Sequence, residues 1–496
     1  MKQLLLATLV LFSGDLCSAS NGVVVGNPFF FLPDIISNNM VLQQQTEVRL
    51  WGKADPGTHV TVRSDWSRET ITARVASDSI WILKLPTPEA SMQSHTISFS
   101  IDGREMVTLN DVLIGEVWFC SGQSNMQMPL NGFDNCPIMG GNEEIALAGQ
   151  WAGRIRMATV PTMGSEQPLE WAYGCQWMKP SYETAPQMSA SAWYFAKMLT
   201  QVLNVPVGII ACAWGGSSVE GWTPRELLET YTDLDLTAEL KRGREGGWWR
   251  WYAPLVMYNG LLHPMRHYTI KGFLWYQGEA NVEKHITYAQ RLKNMVDRWR
   301  HEFDDTTAAL PFYEAEIAPW AGYGGADGES GALLREAQHS ATRLIDNSYC
   351  IVTNDLVEPY EDTQIHPANK RDVGYRFAYS VLHHTYGIKQ IAGDSPEYDR
   401  MEVKGNEIEV FFKHAEGGLS PWHDIHGFEV AGADGNFVAA NATVNEAHKS
   451  VMVSSPDVPI PVAVRYCFKN FEPGNLVNHR GLAAVPFRTD AFKQKK

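Results

Sequence analysis

The stretch 112–130, VLIGEVWFCSGQSNMQMPL, constrains the fold more than any other part of the chain. An apolar run breaks at Ser121-Gly122, presents Gln123-Ser124-Asn125, and resumes as a run able to start a helix. A strand feeding a helix through a small-residue turn carries that turn at the C-terminal edge of an α/β sheet, where such folds bind ligands. A serine there can meet substrate beside backbone N–H groups that stabilise an oxyanion. A second reading stands beside this one: Ser121 and Ser124 serve only to cap the helix.

The pattern from about residue 109 onward favours the first reading. Strand-like runs at 112–119, 205–214, 270–275 and 350–354 alternate with helical runs at 189–202, 288–303 and 370–384. This alternation predicts a parallel sheet with helices on both faces. Before it, residues 25–108 show short alternating runs between turns such as Asp55-Pro56-Gly57, the pattern of a β-sandwich. After it, residues 395–490 return to short strands between Gly, Asn and Pro turns. The expected organisation is a leader at 1–19, an N-terminal β domain at 25–108, an α/β catalytic domain at 109–392 and a C-terminal β domain at 395–490. Residues 323–331, GYGGADGES, read as a flexible acidic loop, and the Arg-, Gly- and Trp-rich 240–253 as a surface excursion.

The leader rests on Lys2, an apolar core at 4–12 and the small residues Cys17-Ser18-Ala19 before a cleavage point. Its core is too short to span a bilayer, and no later run is long and apolar enough to do so. An exported chain, secreted or lysosomal, follows. Six cysteines remain after Cys17 is removed: Cys120, Cys136, Cys175, Cys212, Cys350 and Cys467. Export permits disulfides among them, while their wide, irregular spacing argues against a zinc site. Asn441-Ala442-Thr443 is a glycosylation sequon. The net charge of −15 and the lack of a basic tract exclude nucleic acid as a natural partner.

Three further segments fall at strand ends of the α/β part. Trp214-Gly215-Gly216-Ser217-Ser218 offers backbone close to a ligand, or is a plain tight turn. Gln277-Gly278-Glu279-Ala280-Asn281 places two side-chain amides where an oxyanion or sugar hydroxyl would need donors. Glu279 is open to three roles: ligand contact, base, or buried acid. Gln364-Ile365-His366-Pro367 sets a histidine in an extended turn, suited to a general base or to a structural role.

In order along the chain, GQSNMQMPL, VPVGIIACAWGGSSVEGW, GFLWYQGEAN and IHPANK closely resemble the sialate O-acetylesterases, serine hydrolases of the SGNH or GDSL-like kind. ISNNMVLQ, YNGLLHP and GLAAVPFRTD extend the likeness through nearly the whole mature chain. The resemblance implies a flavodoxin-like three-layer catalytic domain between two β domains, acting without metal or organic cofactor. It implies Ser124 as nucleophile, His366 as base, and the Ser124 and Gly216 N–H groups as oxyanion donors. Gln277 or Asn281 supplies a third donor, and Gln123, Asn125 and Glu279 complete the surroundings. Many relatives carry an acid two or three residues before the histidine, where this chain has Thr363 and Gln364. Asp362 is the first candidate for the triad acid and Asp355 the second, with Glu358 and Glu361 nearby. A Ser–His dyad oriented by a backbone carbonyl is the alternative. The implied substrate is O-acetylated sialic acid, free or glycan-linked, with the 9-O-acetyl group favoured. The other readings are an acetylxylan or similar carbohydrate O-acetylesterase, and a noncatalytic sugar-binding protein.

Overall fold

In the computed structural model, residues 28–245 and 252–490 are described. The expected leader at 1–19, and with it Cys17, lies outside the described residues, as do positions 246–251 of the Trp-rich excursion.

Six parallel strands form the centre: β1 (Arg104–Gly122), β2 (Ile155–Thr159), β3 (Val207–Ala213), β4 (Gly272–Tyr276), β5 (Phe312–Ala315) and β6 (Ser348–Ile351). They lie in the order β2-β3-β1-β4-β5-β6, and Trp177–Met178 pairs antiparallel outside β2. Without β2, the other five follow the flavodoxin order, with the reversal beside β1. The helices concerned here are α1 (Ser124–Gln127), α2 (Ala190–Leu203), α3 (His285–Glu302), α4 (Ser330–Ala341) and α5 (Lys370–His384).

Side-chain alternation along the strands divides the interior into two cores. On β1, Val117 and Phe119 join the core that holds Leu292, Trp299 and Leu334 of α3 and α4. Trp118 and Cys120 join the one that holds Trp193, Phe195, Phe377 and Val381 of α2 and α5. On β4, Phe273 and Trp275 face the first core, and Leu274 and Tyr276 the second. The near-continuous apolar run of 112–120 thus has its cause: β1 is covered on both faces. Ser189 caps α2, accepting from the Ala192 N–H at 3.3 Å, and Asn204 ends it in the left-handed conformation.

The N-terminal β region does not stand apart. The 108/109 boundary expected from sequence falls inside β1, which runs unbroken for 19 residues. The first half of β1 pairs antiparallel with Ser91–Ile101, and Val41–Gln43 pairs parallel with Leu113–Gly115. Val48, Trp51 and Phe99 pack in the same core as Phe273 and Trp299.

The C-terminal region differs. Two four-stranded antiparallel sheets enclose a core of their own, including Ile408, Val410, Val430, Val464 and Tyr466. It meets the α/β unit through ion pairs, Arg465–Glu329 at 2.6 Å, Arg488–Glu336 at 2.8 Å and Arg343–Glu397 at 2.6 Å, and through two small apolar clusters, Phe468 with Ala332 and Leu333, and Ala483 and Val485 with Val352. Asn470 also holds the loop expected to be flexible. It donates to Gly324 O at 2.7 Å, accepts from the Gly331 N–H at 2.7 Å, and its own N–H bonds Gly328 O.

The disulfide expectation is corrected: all six described cysteines are free thiols. Cys120 and Cys212 sit on neighbouring strands but one register apart, so one points into each core. Among the described residues no helix is long and apolar enough to cross a membrane.

Candidate active site

At the end of β1 the chain turns at Gly122, with φ of +136°. A Cβ there would stand 2.1 Å from Tyr276 O, so only glycine lets β1 and β4 close up at this height. Gln123 then extends, its N–H bonding Tyr276 O at 2.9 Å, and Ser124 opens α1. The two serines part company here. Ser121 is fully buried, its hydroxyl without a partner, whereas Ser124 is half-exposed. The cap position belongs to Gln123, and no side chain caps α1, so neither serine plays the capping role. The Ser124 backbone N–H has no partner among the described residues.

Beside this turn, β3 delivers the glycine pair. A Cβ on Gly215 would lie 3.3 Å from Ser124 Cβ, a close approach that keeps the loop against the serine. The Gly215 N–H donates to Gln127 Oε1 at 2.7 Å, while Gly216, at φ +75°, keeps its N–H unpaired among the described residues. Gln127 lies three residues after Ser124, on the same face of α1. Its Oε1 is occupied by Gly215, its Nε2 has no partner among the described residues, and it borders a cavity of about 280 Å³ with Thr159, Thr162 and Gln187.

The third segment is placed differently from expectation. Gln277 and Asn281 are fully buried. Gln277 Nε2 donates among Gln123 Oε1 (3.2 Å), Ser217 O (3.0 Å) and Asn281 Oδ1 (2.8 Å), and its Oε1 accepts from Tyr288 Oη. Asn281 Nδ2 bonds Glu220 Oε2 at 2.9 Å, and its Oδ1 also accepts the Val219 N–H. Among the described residues Gln277 has acceptors for both amide hydrogens and Asn281 for one of its two, and both side chains are committed to buried partners. Gln123 is also interior, its Oε1 accepting the Gly278 and Ala280 N–H groups. These residues form the frame behind the site rather than its wall.

Asn125 joins the serine turn to the histidine loop. Its Nδ2 donates to Glu279 Oε1 at 2.5 Å and Ile365 O at 3.1 Å, and its Oδ1 accepts from Lys370 Nζ at 2.8 Å. Lys370 Nζ also holds Pro367 O at 2.7 Å. The carbonyls on both sides of His366 are therefore fixed by one buried network, and the residue after Ser124 bonds the residue before His366. Asn125 is completely buried, so it acts on geometry and does not touch substrate. Burial raises the Glu279 carboxyl above its usual range, and its Oε2 is buried without a partner. Burial likewise pushes the Lys370 ammonium down to about 7, against the raising influence of Glu279 and Glu361.

His366 is held down to about 4 by burial and by the Lys370 charge. Its ring packs edge-on to Phe133, and the polar atom beside Nδ1 is the Cys136 thiol, at 3.9 Å. Gln364 Oε1 accepts the His366 N–H at 3.3 Å and the Cys136 thiol at 3.2 Å. Among the described residues no carboxylate is hydrogen-bonded to the ring. Asp362 is exposed and its side chain bonds nothing among the described residues. Asp355 pairs with both guanidinium nitrogens of Arg376 at 2.6 Å. Glu358 and Glu361 cap a short turn reciprocally, and Glu361 also accepts the Ala368 N–H. Expecting Asp362 at His366 is corrected on these grounds, and among the described residues no backbone carbonyl bonds the ring either. No hydrogen bond links the Ser124 hydroxyl to the ring in this structure; such contacts tighten when substrate fills a hydrolase site.

Two residues went unremarked in the sequence. Lys370 ends the IHPANK motif, and its position four residues after His366 was the available signal. Gln127, in SNMQ, had its signal in helical spacing from Ser124.

A family model described as "Carbohydrate esterase, sialic acid-specific acetylesterase" matches residues 114–383. The chain is 28% identical over 418 residues to the sialate O-acetylesterase of Pongo abelii, covering 75% of this chain and 74% of that protein. The Homo sapiens sialate O-acetylesterase gives the same identity and coverage. A crystal structure of a novel carbohydrate acetylesterase from Xanthomonas citri superposes with a TM-score of 0.80 at 30% identity, covering 94% of this chain and 100% of that one.

Proposed function

The chain belongs to the carbohydrate esterase, sialic acid-specific acetylesterase family, and from that premise we propose that it removes O-acetyl groups from sialic acids through a Ser124–His366 pair. It is a carboxylic ester hydrolase. One observation carries the site: Ser124 is the half-exposed serine at the end of the central strand, with two unpaired backbone N–H groups, its own and that of Gly216, close by.

His366 takes the Ser124 proton as Oγ attacks the acetyl carbonyl. The tetrahedral oxyanion rests on the Ser124 and Gly216 N–H groups. The free Nε2 of Gln127 supplies the side-chain donor first sought in Gln277 or Asn281. His366 returns the proton to the sugar oxygen, and a water activated by the same imidazole then frees acetate. The residues that do this come from the 109–392 segment, and the buried Asn125–Lys370–Glu279 network takes over the orienting part of a triad acid. The substrate is free or glycan-linked sialic acid, with the 9-O-acetyl group preferred, and the leader at 1–19 supports export to the outside or to the lysosome. The neighbouring cavity beside Ser218 and Ala280 holds Arg242 and Lys284, paired with Glu239 and Glu220, together with Glu245; the substrate carboxylate would bind there by taking over one of those cations.

A broader carbohydrate acetylesterase is the second reading, favoured by the Xanthomonas citri likeness. Acetate release from 9-O-acetyl, 4-O-acetyl and xylan acetates separates the two. Lys284→Ala should raise KM for acetylated sialic acid while leaving an uncharged aryl acetate unaffected. Turnover of xylan acetates alone would replace the first reading with the second, and no turnover of any acetate would remove both.

A further inference from the structure

Where α5 gives way to the C-terminal β region, two adjacent histidines end the helix and face one aspartate from the connecting segment. His384 Nε2 lies 2.9 Å from Asp394 Oδ1, and His383 Nε2 lies 4.0 Å from Asp394 Oδ2. One ligand atom from each of the three falls within 4.8 Å of the other two. His414, just after the strand Glu407–Lys413 of the C-terminal region, brings Nδ1 to 4.0 Å from the same Oδ2 but stands outside the 4.8 Å spacing of the trio, so its ring has to turn inward to ligate. A cavity of about 150 Å³ opens on Asp394 and His414.

We propose that this cluster is a binding site for a divalent transition cation of the zinc class, held by His383, His384 and Asp394, with His414 as the fourth ligand. Three imidazoles and one carboxylate are a donor set that zinc accepts in tetrahedral geometry, and that calcium or magnesium do not favour.

The surroundings already orient the ligands. His383 Nδ1 is 2.6 Å from Ile391 O, so that nitrogen carries the proton and Nε2 offers its lone pair toward Asp394. A second-shell carbonyl fixes the tautomer of metal-ligating histidines in the same way. The His384 ring is clamped against Tyr349 at 3.8 Å between centroids, and Gly393 leaves no room beside the base of His383. On binding, the proton that His384 Nε2 shares with Asp394 moves to Nδ1, and both groups turn their lone pairs to the metal. The site is separate from the esterase machinery: His366 lies before the first turn of α5, and this cluster lies at and beyond its last. Its ligands come from the α/β unit, the connection and the C-terminal region, so an occupied site would add a further tie between two parts already joined by ion pairs and small apolar clusters.

The test uses untagged, full-length mature protein, stripped with a chelator and titrated with zinc chloride at pH 7.5 by calorimetry, with thermal melts alongside. One saturable equivalent is expected, with a melting temperature raised by several degrees, as for any ligand that binds only the folded state. Asp394→Asn, isosteric but uncharged, and His383→Gln should each weaken binding by about tenfold or more. His414→Ala should weaken binding and shrink the zinc-induced rise in melting temperature. The melting temperature of each metal-free variant reports separately whether it has folded. Aryl acetate turnover should be unchanged in all three. Absence of a saturable equivalent, or wild-type zinc affinity in folded Asp394→Asn and His383→Gln, would overturn the site. Wild-type zinc affinity in folded His414→Ala would remove the fourth ligand and with it the clamp.

Discussion

Two strand ends lie side by side at the top of the sheet, and both offer amides and small residues in sequence. The turn after β1, Gly122 to Gln127, leaves Ser124 half-exposed, two backbone N–H groups nearby unpaired, and Gln127 with a free Nε2. The turn after β4, Gln277 to Asn281, buries both amides completely and turns them to interior partners on Gln123, Ser217, Glu220 and each other. The contrast teaches that residue type and strand-end position nominate a donor, while saturation decides whether it faces substrate. A buried amide with all its partners gives rigidity and nothing to the transition state.

The largest effect expected of this comparison is at Ser124. Ser124→Ala should lower acetate release by roughly 10⁴–10⁶-fold, while Ser121→Ala, buried behind it, should keep most activity. A folded Ser124→Ala protein turning over near the parent rate would remove the nucleophile assignment. Gln127→Ala comes next, with a fall in kcat of roughly 10²-fold if its Nε2 serves the oxyanion. Gln277→Ala and Asn281→Ala should instead register in stability, each losing about 1–3 kcal/mol because buried partners are left unsatisfied. If either lowers kcat per folded molecule more than Gln127→Ala does, the roles of the two turns are reversed.

The pH profile probes the loop that faces both turns. A base held at about 4 stays unprotonated to lower pH, so the acid limb of kcat/KM should fall near 4 rather than near 6.5. Lys370→Met removes the neighbouring charge, and the limb should move upward; an unmoved limb would show that burial alone holds His366 down. The smallest effect is at Asp362→Asn, which should leave kcat within about twofold, against the roughly 10⁴-fold loss when a true triad acid becomes an amide.

Much of the fold was legible because it rests on periodicity. The 370–384 helix was readable to the residue, and the strand–turn–helix around Ser124 to within a few positions. The serine and histidine were legible because their motifs have fixed positions. The rest depended on contacts between distant segments. No local pattern says that Gln277 will meet Tyr288 and Ser217, or that Lys370 will fold back to Asn125 across 245 positions. Asp362 failed as a candidate because proximity in sequence was its main merit; the capping of Glu358 and Glu361 leaves it facing solvent. The anchoring of 323–331 was hidden for the same reason, since Asn470 comes from another part of the chain.

The long strand β1 has a consequence for anyone who shortens this enzyme. The family match begins at residue 114, ten residues into a strand that runs from Arg104 to Gly122. A recombinant chain started there would strip Ser91–Ile101 and Val41–Gln43 from β1 and uncover Val117 and Phe119 beneath the missing half of their core. Raw strand edges of that kind template aggregation. The minimal expressible enzyme therefore reaches back past residue 41, and grafting experiments should treat the N-terminal region as part of the chassis.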